Sequence, residues 1–199
     1  MNDVDKKDKK SLGRPRSAKS HQAMLKATLE ILAEVGFDVM SIEAIAARAG
    51  VGKTTIYRRY SSKAELVADA IESMREEVVI PDRGKLASDI DALIKNAAQI
   101  TLTPLGRQTV AMIISSASSN PEFAQIYWTK YLQPRRQAFD IVIERAKARG
   151  EVQKNLDSGL VFDTMSGIML YALLFQPTSE SWSVYVRRSL SLIFKEALD

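Results

Sequence analysis

The feature that most constrains this chain is a pair of short apolar-faced segments on either side of Gly50-Val51-Gly52. Ser41 is placed as the N-cap of the first segment, which runs to Ala49. Ile45, Ala46 and Ala49 give that segment an inner face, and its small alanines let a second helix cross closely. Gly50 can take the left-handed conformation of a tight turn, and Val51 is an apolar plug within it. The second segment, Lys53 to Arg59, has one core-facing residue, Ile56. Lys53, Thr54, Thr55, Tyr57 and Arg58 are left near its N-terminal and outward surfaces, a set of donors and an aromatic suited to phosphates and base edges. Two short helices, a glycine turn and a polar second helix are the requirements of a helix-turn-helix.

Around this segment the apolar period is helical. Leu25, Leu29, Leu32 and Val35 mark a helix from about Lys19 that stops at Gly36. Ser61 or Ser62 caps another over about Lys63–Val79, with Leu66, Ala70, Ile71 and Met74 on one face. Further helices are predicted over Leu86–Leu102, Gly106–Ser118, Pro121–Ala148, Ser158–Phe175 and Ser181–Leu198, with a kink or split open at Pro134. No stretch alternates at period two. The expectation is an all-α chain: a three-helix helix-turn-helix domain followed by a larger helical bundle, about nine helices in total. Residues 1–18 are read as a flexible basic arm, 19–80 as the helix-turn-helix DNA-binding domain and 81–199 as the larger C-terminal helical bundle.

Charge supports that division. Residues 1–65 hold 13 Lys and Arg against 8 Asp and Glu, a net of +5, whereas 66–199 hold 15 against 16, a net of −1. A basic first third fits a nucleic-acid surface, and equally a solvated basic tail. The chain has no cysteine, which excludes disulfides and thiolate chemistry, and its lone histidine, His21, offers neither a metal site nor a Ser-His-Asp triad. No catalytic residue, metal or cofactor is therefore expected. His21 is read as exposed or capping. The charged N-terminus is followed by no apolar signal region, and the most apolar stretch, Ser166–Phe175, is short for a bilayer span. A cytoplasmic setting without a membrane partner follows.

From Gly13 to about Ile71 the chain resembles the DNA-binding domain of the TetR family of bacterial transcriptional regulators. The resemblance rests on Ala27, Phe37, Ser41, Ile45, Ala46, Ala49-Gly50-Val51, Thr55-Ile56-Tyr57, Tyr60, Ser62-Lys63 and Leu66. Gly52, Thr54 and Arg59 depart from the residues common in the family, so an operator sequence does not transfer. The resemblance implies a homodimer that binds a near-palindromic operator, most commonly as a repressor, and is released by a small hydrophobic ligand in the C-terminal domain. Carried over, Ser41 bonds a phosphate or caps its helix. Lys53 sits near phosphate or a base edge, Thr54 and Thr55 touch either, and Tyr57 packs on the DNA backbone. Arg58 reads guanine or holds phosphate, with Arg59 beside it. Tyr60 is core with a phosphate-facing hydroxyl, and Lys63 holds phosphate. Arg14 and Arg16 enter a minor groove or only add charge.

Trp128-x-x-Tyr131-Leu132-x-Pro134-Arg135-Arg136 is similar to a segment common in one group of such C-terminal domains. Met112, Phe123, Tyr127, Trp128, Tyr131, Phe139, Phe162, Met165 and Met169 are candidates to line a ligand cavity or to fill the core. Helices 158–175 and 181–198 are the candidate dimer seam, with Gly159, Ser166, Gly167 and Ala172 allowing close approach and Leu190, Leu192, Ile193 and Phe194 supplying apolar area. Two rivals stand beside this reading. Gly52-Lys53-Thr54 resembles the end of a phosphate-binding loop but lacks the upstream glycine, since Ala47 occupies that place, and lacks a preceding strand. A helical protein-binding adaptor explains the bundle but not the polar second helix.

Overall fold

The computed structural model describes residues 14–74, 80–176 and 179–194. It divides into two compact units, Met1–Ala70 and Ile71–Asp199. The described residues are all-helical: ten α-helices and one π-helical turn, with no strand.

In the first unit, α1 runs Arg14–Val39 and α2 Ile42–Ala49, followed by α3, Lys53–Tyr57; α4, Lys63–Glu72, begins here and continues past the division. α1 starts five residues before the expected Lys19, so the expected arm of residues 1–18 is helical from Arg14; residues 1–13 lie outside the described residues. Gly36, at φ 77°, breaks the helix where the stop was predicted. Each short helix is fixed by local chemistry. Ser41 Oγ accepts the Ala44 N–H at 3.1 Å, capping α2. Gly50, at φ 65°, ends α2 by donating to Ala47 O, while Val51 donates to Ala46 O at 3.0 Å, the paired bonds of a Schellman turn. Ser62 Oγ caps α4 through the Glu65 N–H, and the Glu65 carboxylate reaches back to the Ser61 N–H at 2.8 Å. Met24, Ile31, Leu32, Ile45 and Ile56 are buried, each burial worth about 1.5–3 kcal/mol.

The second unit holds α5, Leu86–Thr101; α6, Pro104–Ser119; α7, Pro121–Tyr127; α8, Gln133–Arg149; α9, Ser158–Phe175; and α10, Trp182–Phe194. Its core is built at helical spacing from Leu86, Ile90 and Ile94 of α5, Phe139, Val142 and Ile143 of α8, Val161 and Met165 of α9, and Val186, Leu190 and Phe194 of α10. The helix expected over Pro121–Ala148 is divided. A π-turn, Trp128–Leu132, joins α7 to α8, and the Gln133 N–H bonds Trp128 O, five residues back. Pro134 follows at once: a proline has no N–H to give and crowds the carbonyl four residues earlier, and the wider turn accommodates both. α6 begins at Pro104 and not Gly106, because a proline is well tolerated at the first helical position and Thr103 Oγ1 caps the Gly106 N–H at 2.9 Å. The apolar stretch at the end of α9 extends back to Ser158: 18 residues of mean hydropathy 1.5, enough by length and composition alone to cross a membrane.

Candidate nucleic-acid interface

α2 packs on α1, and α3 packs on α2. Arg48, at the end of α2, bonds Glu34 of α1 at 2.6 Å and ties the two helices at their surface. Ile56 of α3 is fully buried and Thr55 half-buried; Lys53, Thr54, Tyr57, Arg58 and Arg59 are exposed, Tyr57 at 56%. α3 has only five residues, but Arg58 donates to Thr54 O and Tyr60 to Ile56 O, so the helical bonding runs on through the expected end at Arg59. Among the eleven predicted contact residues, these five side chains are exposed. Ser41 is half-buried with its oxygen engaged as a cap, its hydroxyl proton still available to an acceptor. The side chains of Arg14 and Arg16 lie outside the described residues.

Lys53 meets a partner that the sequence reading did not assign. Its Nζ lies 2.8 Å from Glu43 Oε1, across the turn from α2. The bonded ammonium lowers the carboxyl pKa of Glu43, and the bonded carboxylate raises that of Lys53. Both groups are solvent-exposed, which makes the pair weak and exchangeable.

Two of the expected phosphate-contacting side chains have partners within the unit. Tyr60 is 5% exposed, and its hydroxyl donates to Asp69 Oδ2 at 2.9 Å. The same oxygen is 2.8 Å from His21 Nε2, and since the single phenol proton goes to Asp69, His21 must be the donor. The Tyr60 hydroxyl therefore joins α1 to α4 inside the unit, and His21 is half-buried in that link, not exposed. Burial, then the bond to Asp69, pushes the Tyr60 pKa upward. Lys63 turns inward as well. Its Nζ donates to Phe37 O at 2.7 Å and Met40 O at 3.0 Å, and sits 4.6 Å from the Phe37 ring centre. Two of its three protons are thereby engaged by backbone carbonyls within the unit. The Gly52-Lys53-Thr54 sequence follows α2, a helix, so the strand that a phosphate-binding loop requires is not there.

Residues 24–70 match the bacterial regulatory proteins of the tetR family, and residues 80–193 match the tetracyclin repressor-like C-terminal domain. The chain belongs to the TetR family. This TetR-family regulator is 33% identical over 184 residues to the uncharacterised HTH-type transcriptional regulator YdeS of Bacillus subtilis, covering 92% of each chain. It is 32% identical over 169 residues to the DNA-binding transcriptional repressor TetR of Mycobacteroides abscessus, covering 81% of this chain and 83% of that one. In fold it is similar to the Bacillus subtilis regulator FadR, solved with stearoyl-CoA, at TM-score 0.63 and 18% identity over 88% of this chain and 97% of that one. It is thus a transcriptional regulator with a helix-turn-helix DNA-binding domain.

The second unit contains a cavity of about 450 Å³, within the range usual for small-molecule sites. Of the nine predicted lining residues, Tyr127, Phe139, Phe162, Met165 and Met169 line it. Met112, Phe123, Trp128 and Tyr131 do not: Phe123 is fully buried core stacked on Tyr127, and Trp128 is 38% exposed on the π-turn. Sequence reading missed Val110, Ile113, Leu170, Trp182 and Arg135, among others. Aliphatic positions on amphipathic helices carry no mark that separates a cavity wall from packed core. At the candidate seam, Ala172, Leu190 and Phe194 are packed in their own core and Gly159 is covered by the Arg136 side chain, whereas Ser166, Gly167 and Leu192 are exposed.

Proposed function

We propose that this regulator represses transcription as a homodimer, with α3 of each protomer in successive major grooves of a near-palindromic operator, and that a small apolar ligand in the second-unit cavity releases it. The observation that carries the reading is the sidedness of α3. Ile56 anchors one side, while Lys53, Thr54, Tyr57 and Arg58 stand on the other, the donor types that engage phosphates and base edges. Residues 19–80 then act as the DNA-binding domain and 81–199 as the effector and dimer domain, in the cytoplasm where the operator lies. Repression is favoured by the Mycobacteroides abscessus relative, which is named a repressor.

Dimerisation is supported by α9. Leu160, Thr164, Gly167, Tyr171 and Leu174 are exposed at three- to four-residue spacing, a stripe of the kind that pairs with a second helix. Val184 and Leu192 of α10 add exposed apolar area. Ligand response is supported by the cavity and by Glu72, the last residue of α4. Its carboxylate is held by Arg135 and, at 3.2 Å, by the Tyr127 hydroxyl, and both of those residues line the cavity. A ligand that moves them acts on the end of a helix that begins in the first unit. A solved neighbour of the same fold carries stearoyl-CoA, a ligand with a long apolar chain.

The test is selection of bound duplexes from a random pool with the native chain, Arg58→Ala and Tyr57→Phe. A near-palindromic consensus that the variants lose or relax is expected. Failure to recover any consensus at low salt, with the variants equal to the native chain, would sink the reading.

A further inference from the structure

Beside the cavity of about 450 Å³, the second unit holds a smaller one of about 150 Å³, lined by Met74, Leu105, Gly106 and Thr109 among others. The two share four wall residues: Gln99, Ile100 and Thr101 at the end of α5, and Val110 of α6. Ile100 and Val110 are half-buried, and neither belongs to the core packed from α5, α8, α9 and α10. The partition therefore includes aliphatic side chains that the core does not clamp. Among the described residues, the wall of the smaller cavity carries no charge, and Met74, Ile100, Leu105 and Val110 give it apolar surface. Its rim residues Thr103 and Leu105 are exposed, Leu105 at 52%. A cavity of about 150 Å³ takes a group the size of benzene, with six carbons. On that scale the larger cavity takes roughly eighteen carbons, so a chain of about twenty overruns it.

We propose that the two cavities form one site for an elongated ligand: an unbranched apolar chain occupies the larger cavity, and its end passes between Ile100 and Val110 into the smaller one, against Met74. The inference rests on the reading of the larger cavity as the effector site. It deepens that reading by naming the shape of the effector and the place of its far end. Each methylene moved from water into the smaller cavity tightens binding about fourfold. A chain already held in the larger cavity gains this without a second loss of translational freedom, which a separate small ligand would incur. Met74 stands two residues past the end of α4 at Glu72, so a chain that reaches it also bears on the segment following that helix.

The test is methyl NMR on the full chain with carbon-13-labelled methionine, because Met165 and Met169 line the larger cavity and Met74 the smaller. The probes are 1-octanol and 1-eicosanol, both delivered from cyclodextrin. Octanol is expected to shift Met165 and Met169 and to leave Met74 in place, whereas eicosanol is expected to shift all three. Leu105→Trp enlarges an exposed rim side chain of the smaller cavity and should weaken eicosanol about tenfold, the loss of about two buried methylenes, while octanol binds as it does to the native chain. Should that variant fail to fold, the native spectra decide alone. A Met74 methyl unmoved by eicosanol, a Met74 methyl moved equally by octanol, or eicosanol affinity unchanged in folded Leu105→Trp each overturns the shared site while leaving the larger cavity a ligand site. Binding of neither alcohol overturns the effector reading itself, and the elongated ligand with it.

Discussion

Replacing Lys63 by Met separates two roles that a lysine at the start of α4 can have. Methionine keeps most of the aliphatic stem and deletes the ammonium. What is lost is a pair of charge-assisted bonds, 2.7 Å to Phe37 O and 3.0 Å to Met40 O, and a cation–π contact at 4.6 Å. Such bonds are worth about 1.5–3 kcal/mol each when buried, and the cation–π contact about 0.5–1 kcal/mol at an exposed site. Lys63 is only half-buried, and water can replace part of what is deleted, so the sum is discounted to about 2 kcal/mol. For a chain of this size each kcal/mol moves Tm by about 2–4 °C, giving a fall of about 4–8 °C. Thermal unfolding followed by circular dichroism reads this directly. The companion measurement is the salt dependence of DNA binding, where each phosphate contact adds about 0.9 to the slope of log K against log salt. Lys63→Met should leave that slope unchanged. A slope smaller by about 0.9 per contact, with Tm intact, would refute the reasoning and return Lys63 to the DNA.

Three further outcomes follow from the same geometry. Tyr60 has its pKa raised by burial, so its contribution to stability is complete below the ordinary tyrosine value of about 10 and is lost as pH rises beyond it; Tyr60→Phe should show a shallower fall in Tm than the native chain on titration above about pH 10. Glu43→Gln removes the carboxylate beside Lys53 and should raise DNA affinity a few-fold at low salt, whereas Lys53→Ala should lower it and reduce the salt slope by about 0.9, both read by fluorescence anisotropy on one duplex. Gly106→Ala would drive a Cβ into the Ile100 carbonyl and should cost about 2 kcal/mol in denaturant unfolding.

What was legible in the residues was the chemistry that acts over a few positions. Ser41, Gly50 and Ser62 announce their caps because donor and acceptor lie within four residues of each other. The outward set on α3 was legible for the same reason, since Ile56 alone fixes which side turns inward. The misplaced residues are those whose partners are distant in sequence. Lys63 bonds carbonyls 26 and 23 residues away, and the Tyr60 hydroxyl meets His21 at a separation of 39. A lysine that reaches solvent and one that bonds distant carbonyls have identical local sequence signatures, so no motif could have separated them. Phe123 and Phe139 make the same point in the bundle: both are buried aromatics on helices, and only the packing decides that Phe139 borders the cavity and Phe123 does not.

The brevity of α3 has an evolutionary consequence. A five-residue helix is far too short to persist alone, so its conformation and direction are borrowed from the Schellman turn before it and from Ile56 beneath it. Its outer side chains contribute little to holding it in place. Lineages can therefore exchange them freely and acquire new target promoters without passing through unfolded ancestors, and an engineer can vary positions 53, 54, 57 and 58 together in one library on an unchanged scaffold.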